Sequence, residues 1–166
     1  MLISAEVLRS HIDYTAWASQ RVVEAIGHLN VDELSRDFGT ADKNVLGTLV
    51  HTFAADRIWM GRIEGNIPAR FLDLEKDMHL HVLRTGWPAV HQRWKQWAAG
   101  LSDHDIEQPL LYKDMEGNEH STPAWQIVLH VVNHGTHHRG QTAGFLRAMG
   151  HTPPVLDLIA YYRSLK

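Results

Sequence analysis

The length, composition and charge of the chain exclude several classes of protein. With 166 residues, 44% of them hydrophobic, the chain can form the core of one domain, which we expect to span residues 1–166. Its 19 acidic residues outnumber its 16 basic ones, so a nucleic-acid partner, which requires clustered Lys and Arg, is not expected. No apolar run approaches the about 20 residues of a membrane helix, and no secretion signal opens the sequence, so we expect a cytoplasmic protein without a membrane partner.

Hydrophobic periodicity predicts three long helices in the first part of the chain. Apolar residues recur at helical spacing over residues 3–29 and over 42–64, where the turn-forming sequence Gly-Asn-Ile-Pro follows. A third helix is predicted over residues 80–99, although Gly86 and Pro88 weaken its first half. These lengths are typical of helices that pack as a bundle.

A short hairpin and a fourth long helix complete the predicted fold. Residues 110–120 have Glu-Gly-Asn near their centre, which favours two short strands joined by a turn. The fourth helix is predicted over residues 123–149, with Thr122 as its cap, Pro123 at its first position and Gly150 at its end. We therefore predict an all-α fold, a four-helix bundle with a small β-hairpin between the third and fourth helices.

Histidines are frequent in the chain and regularly spaced. There are 13 histidines and no cysteine, so any metal ligands must be nitrogen or oxygen atoms. His130, His134 and His138 recur every four residues on the fourth helix, which places neighbouring Cβ atoms about 5–6 Å apart on one face. A helix pair supplies two ligands, and His51, midway along the second helix among small residues, is the candidate for the third. The alternative is a set of solvated or core histidines that bind no metal.

Three neutral nitrogen ligands with an open coordination position predict a site at which a divalent ion binds water or a substrate. Zn or Ni suits such a ligand set, and Mn, Fe and Co are further candidates. The signatures of thermolysin-like proteases, di-iron carboxylate bundles, serine hydrolases and nucleotide-binding loops are absent from the sequence. The spacing leaves open whether His130 or His137 also contacts the metal.

Several other residues carry expectations that a structure can check. Asp13, Asn44 and Asp56 are candidate pocket residues without an assigned role, and the remaining histidines, His91 among them, are expected in solvated surface or loop positions. Four tryptophans at helical spacing are expected in the core or at a dimer contact: Trp17, Trp59, Trp94 and Trp97. Two glycines one turn apart on the fourth helix predict close helix packing: Gly140 and Gly144.

Four segments, spread over nearly the whole chain, carry the motifs of a known family. The most specific is residues 130–141, His-Val-Val-Asn-His-Gly-Thr-His-His-Arg-Gly-Gln. Agreement continues, in chain order, at residues 14–19 (Tyr-Thr-Ala-Trp-Ala-Ser), 51–65 and 150–157. Together these segments resemble the DinB/YfiT-like family, whose name is shared with an unrelated DNA polymerase.

The resemblance implies a four-helix bundle with a divalent-metal site. Carried over onto the matching positions, the ligands would be His51, His134 and His138, the same three that the spacing indicates, and His130 would line the pocket. The family is one of metal-dependent enzymes that are often homodimers, so the resemblance also implies a homodimer that acts on a small-molecule substrate. Members with known chemistry use low-molecular-weight thiols such as mycothiol or bacillithiol, as S-transferases or as a thiol-dependent isomerase, and many members have no assigned reaction.

Three functions remain as hypotheses at this point. The leading one is a metal-dependent transferase in which the ion activates a low-molecular-weight thiol taken from solution. The second is a metal-dependent hydrolase in which the same ion activates water. The third, from a different class, is a non-catalytic metal-binding stress-response protein whose site is closed by a fourth protein ligand such as His130 or His137.

Overall fold

The structure is a computed structural model that describes residues 3–66 and 70–166. Four long helices dominate it: α1 (Ala5–Ile26), α3 (Val45–Glu64), α5 (Leu80–Ala99) and α7 (Ala124–Ala148). Four short helices lie between or after them: α2 (Val31–Ser35), α4 (Leu74–Asp77), α6 (Asp103–Glu107) and α8 (Leu158–Ser164). The predicted all-α fold with four long helices is confirmed, and the bounds of α5 are those that the sequence predicts.

The four long helices pack as a bundle in which α1 and α3 lie on opposite corners. Helix α1 contacts α5 and α7, and α3 contacts the same two helices. The α3–α7 face and the α1–α5 face are therefore on opposite sides of the bundle. Large side chains from all four helices fill its centre, among them Leu8, Leu49, Trp87 and Leu146.

The start of α3 is set by a side-chain cap. Asn44 lies outside the helix and its Oδ1 accepts a hydrogen bond from the Gly47 N–H at 2.8 Å. The helix therefore begins at Val45, three residues later than the sequence predicts, and Asp42 belongs to the preceding loop. Helix α3 ends at the predicted Glu64, and Gly65 adopts the left-handed conformation with a φ of 69°. The rest of the predicted turn includes residues 67–68, which lie outside the described residues.

The hairpin is confirmed between α5 and α7, with strands β1 (Pro109–Lys113) and β2 (Glu119–Pro123). Its effect on α7 differs from the prediction, because Thr122 is not a helix cap. Thr122 pairs with Leu110 inside the two-stranded sheet, and its extended backbone holds its side chain near Tyr112 instead of the helix. Pro123 occupies the cap position without a side-chain cap, and the Ala124 N–H donates to the Gln108 carbonyl at 3.2 Å.

The prediction for the two glycines of α7 is wrong. Gly140 and Gly144 are exposed, and a Cβ at either position would meet no atom within 4 Å. Within the described residues, neither glycine is therefore needed to let another helix come close. The close approach occurs at Gly86 of α5, where a Cβ would lie 3.2 Å from the Phe53 ring.

None of the described helices combines the length and apolarity that a bilayer-crossing helix requires.

The four tryptophans expected in the core or at a dimer contact are only partly in the core. Trp94 is buried, Trp59 and Trp97 pack on the edge of the main core, and Trp17 packs with Tyr14 and Tyr161 in a smaller cluster between α1 and α8.

Candidate metal centre

The three histidines singled out by the sequence meet on the α3–α7 face. His51 lies in the second turn of α3, and His134 and His138 lie one turn apart near the middle of α7. The Nε2 atom of His134 is 3.2 Å from Nε2 of His51 and 3.1 Å from Nε2 of His138. These three histidines form a group, within the described residues, in which the possible ligand atoms all lie within 4.8 Å of one another. The structure thus brings all three predicted ligands together.

The spacing of these nitrogens fits a divalent ion. An ion with metal–nitrogen distances of about 2.0–2.1 Å separates two of its ligands by about 2.9 Å at right angles and about 3.4 Å at tetrahedral angles. The observed separations of 3.1 and 3.2 Å lie between these values. Because an unprotonated imidazole nitrogen carries a lone pair, three of them pointing at one point repel each other unless a cation lies between them. The group could therefore hold a metal ion.

Two polar side chains support the imidazoles from behind. Gln141, one turn beyond His138, places Oε1 2.7 Å from His138 Nδ1. Asp42, in the loop before α3, places one carboxylate oxygen 3.6 Å from His51 Nδ1 and the other 3.8 Å from His138 Nδ1. Gln141 is at hydrogen-bond distance and can fix the orientation of the His138 ring, whereas Asp42 acts on both rings at longer range through its charge. Asp42 escaped the sequence analysis, which placed it inside the second helix.

Burial keeps the two α7 histidines neutral. Partial burial lowers the pKa of His134 from 6.5 to about 4, with the nearby His138 and His51 acting in the same direction and Asp56 opposing them. Burial also lowers the pKa of His138, and the hydrogen bond to Gln141 opposes that shift. Both side chains are therefore unprotonated at neutral pH, which is the state that binds a metal ion.

This pKa shift predicts how the metal-free protein responds to acid. Because the pKa of His134 is lower in the folded chain than in the unfolded one, the unfolded chain binds more protons below about pH 6.5. The contribution of neutral His134 to the free energy of unfolding is therefore fully present above that pH, and it is lost as the pH falls towards about 4. We expect the free energy of unfolding, measured with urea on chelator-treated protein, to fall between about pH 7 and about pH 5, and to fall less in His134→Gln. An equal fall in both proteins would contradict this assignment.

His130 and His137 flank the group without joining it. Both are exposed, and neither contributes a nitrogen to the convergent set. The His130 ring lies 5.9 Å from the His134 ring and 5.3 Å from the Trp59 ring, and the His137 ring lies 5.0 Å from that of His138. His130 therefore lies next to the histidine group on α7 and packs against Trp59.

The interior beside the site contains polar residues that the sequence analysis misplaced. His91 is only 6% exposed, so the expectation of a solvated position is wrong. Its Nε2 lies 3.5 Å from a carboxylate oxygen of Asp56, which is 1% exposed and accepts a 2.7 Å hydrogen bond from the Trp87 indole N–H. Of the other two candidate pocket residues, Asn44 caps α3, and Asp13 forms a 2.8 Å ion pair with Lys95 on the α1–α5 face.

The fold and the site define a four-helix bundle carrying a partly exposed three-histidine group that could hold a divalent metal ion. A protein-family model described as the DinB family matches residues 3–165, and the chain belongs to this family.

Two similar proteins agree with this assignment. The chain is 20% identical over 156 residues to "Protein DinB" of Bacillus subtilis (strain 168), a match that covers 90% of each chain. Its structure is similar to the crystal structure of a DinB-like protein from Bacillus cereus ATCC 10987, with a TM-score of 0.65 and 19% sequence identity. That similarity covers 93% of this chain and 99% of the other, and at this identity it establishes the shared fold.

Proposed function

We propose that the protein is a metal-dependent enzyme that activates a low-molecular-weight thiol for transfer of its sulfur to an electrophilic small molecule. The convergence of three histidine Nε2 atoms on a partly exposed point of the α3–α7 face supports this proposal. A three-nitrogen set leaves a coordination position for an exogenous ligand, which is the arrangement of catalytic sites. Since the chain has no cysteine, the thiol would come from solution.

His51, His134 and His138 would hold the ion, and Zn or Ni suits their nitrogen atoms. When bound there, the ion would lower the pKa of a thiol sulfur and keep it as a thiolate. The other residues of the site orient the imidazoles. An amide oxygen accepts hydrogen bonds, so Gln141 Oε1 keeps the proton of His138 on Nδ1 and leaves Nε2 with its lone pair towards the centre. The Asp42 carboxylate favours the same tautomer of His51.

The aromatic residues beside the cluster shape the approach to it. The Phe71 ring packs edge-on against His51 with ring centroids 5.3 Å apart, and Trp59 packs against His130 at the same centroid distance. Apolar walls around an open position exclude some of the water that competes with a thiol for it. His51 remains 31% exposed, which leaves room for a ligand to enter.

A thiol-dependence assay tests the proposal. Metal-loaded protein is mixed with monochlorobimane and either glutathione or 2-mercaptoethanol, and the fluorescent thioether is followed. In this reaction the carbon–sulfur bond forms, chloride leaves, and the thiol proton passes to solvent. We expect acceleration over the uncatalysed rate that requires both metal and thiol and disappears with a chelator.

Two results would contradict S-transfer. One is the lack of any acceleration by protein shown to contain about one ion per chain. The other is metal-dependent loss of chloride at the same rate without thiol, which would identify water as the nucleophile and favour the hydrolase hypothesis.

A further inference from the structure

A cationic and aromatic patch, formed by residues of α3, α7 and strand β1, lies next to the histidine cluster. It consists of Trp59, Arg62, Tyr112 and His130, and we call it the Arg62 patch. The Arg62 guanidinium lies 4.4 Å from the centre of the Trp59 ring and 5.2 Å from that of the Tyr112 ring. These two aromatic contacts hold the planar guanidinium in one orientation, so the side chain loses little conformational freedom when it binds a ligand.

Arg62 has no anionic partner among the described residues. None of the hydrogen bonds or ion pairs within residues 3–66 and 70–166 uses its guanidinium, and its Nε is buried without a partner. Desolvation lowers its pKa, while the more distant Asp114 acts in the opposite direction. That carboxylate is already bonded to His120 at 2.9 Å and to Asn118 at 3.0 Å. The other arginine on this helix, Arg57, instead makes hydrogen bonds to the Asp77 carboxylate.

The patch is continuous with the histidine cluster. Ring contacts lead from His134 to His130 at 5.9 Å and from His130 to Trp59 at 5.3 Å, and Arg62 lies beyond them. On α3, residues 51, 55, 59 and 62 share one face, and His51 and Trp59 are separated by about 12 Å of helix axis at about 1.5 Å per residue. Ala55, the residue of this face between them, is small and buried.

We propose that Arg62 recognises a carboxylate of the substrate thiol, and that this thiol is an extended molecule whose sulfur lies at the histidine cluster while its carboxylate reaches the Arg62 patch. This inference rests on the proposed function and specifies its substrate class. The patch contains one guanidinium and no second cationic side chain, so it matches the single charge and planar shape of a carboxylate, to which arginine binds in a bidentate manner. A thiol as short as cysteine cannot span the about 12 Å of helix axis that separates His51 from Trp59, against which Arg62 packs.

A pair of matched ligands tests the inference by binding, without turnover. Glutathione and its diethyl ester share the tripeptide backbone and the thiol, but in the ester both carboxylates are converted to neutral ethyl esters. Each is titrated into zinc-loaded protein while the indole N–H resonance of Trp59 is followed by NMR. We expect glutathione to bind about 10- to 100-fold more tightly than the ester, the range of one charge-assisted bidentate contact. Cysteine and its ethyl ester should bind without any dependence on Arg62.

Substitutions assign the difference to one residue. In Arg62→Gln we expect glutathione affinity to fall to that of the ester, with ester binding unchanged, and in Arg62→Lys we expect partial recovery. The matched control is Arg36→Gln, because Arg36 also lies over an aromatic ring, that of Phe38, at an exposed position of the chain. It should leave both affinities unchanged.

The outcomes separate this inference from the proposed function. Equal affinities for glutathione and its ester, or a difference that survives Arg62→Gln, would overturn the role of Arg62 while the thiol site stands. Failure of both ligands to bind zinc-loaded protein would overturn the proposed function and this inference together.

Discussion

Replacing His134 and His138 together by alanine is expected to abolish metal binding. Wild-type protein should contain about one divalent ion per chain after incubation with Zn or Ni, and the double variant should contain almost none. The physical reason is that two of the three convergent nitrogens are lost, so His51 alone remains to compete with water. Elemental mass spectrometry on untagged, dialysed protein measures the metal content, and competition with a chromophoric chelator measures the affinity.

A graded set of variants controls this experiment. His137→Ala removes an exposed histidine of the same helix and should leave the metal content unchanged. Asp42→Asn keeps all three ligands but weakens the contact with His51 and His138, so we expect an affinity loss of about 10- to 100-fold, the range for residues that orient ligands. Wild-type protein that takes up neither Zn nor Ni, or a double variant that keeps its ion, would refute the metal site.

The histidine cluster could be predicted from sequence because its geometry is mostly local. Spacing of four residues on one helix puts His134 and His138 on the same face whatever the rest of the fold does. His51 required the further assumption that the second and fourth helices face each other, and the packing of α3 on α7 confirms that they do. The role of the three side chains as ligands stays a prediction until a metal is measured.

The residues that support the cluster were harder to predict because they depend on loops and long-range contacts. Because the cap at Asn44 starts α3 at Val45, Asp42 lies in the preceding loop, from which its side chain reaches His51. Threonine is a residue type that often caps helices, but the backbone of Thr122 pairs with that of Leu110 in the hairpin instead. The burial of His91 could have been predicted from the sequence, because position 91 falls on the apolar face of the third long helix. The buried residues of that face recur at helical spacing: Leu83, Trp87, Val90, His91, Trp94 and Ala98.

The second large effect concerns the stability of the bundle and not the metal. Asp56 is the acceptor for the Trp87 indole N–H, and Tyr14 and Asp56 both oppose the effect of burial on the charged Arg139 guanidinium. Arg139 is 1% exposed, and burial lowers its pKa, so it depends on the charges and oxygens around it. Asp56→Leu leaves the buried Trp87 indole N–H without an acceptor and removes one of the groups that, with Tyr14, favour the charged form of Arg139. We expect it to lower the free energy of unfolding by about 3 kcal/mol or more.

Urea unfolding of the metal-free protein, followed by far-ultraviolet circular dichroism, measures this loss separately from metal binding. Asp56→Asn should fall between wild type and Asp56→Leu, because its amide oxygen can still accept from Trp87 while the charge is gone. Asp13→Ala serves as the surface control, since the ion pair of Asp13 with Lys95 is exposed and should contribute about 1 kcal/mol or less. If leucine could replace Asp56 without loss of stability, Arg139 would be compensated by other groups of α1, namely Tyr14 and the Ser19 hydroxyl, whose Oγ lies 3.3 Å from the guanidinium.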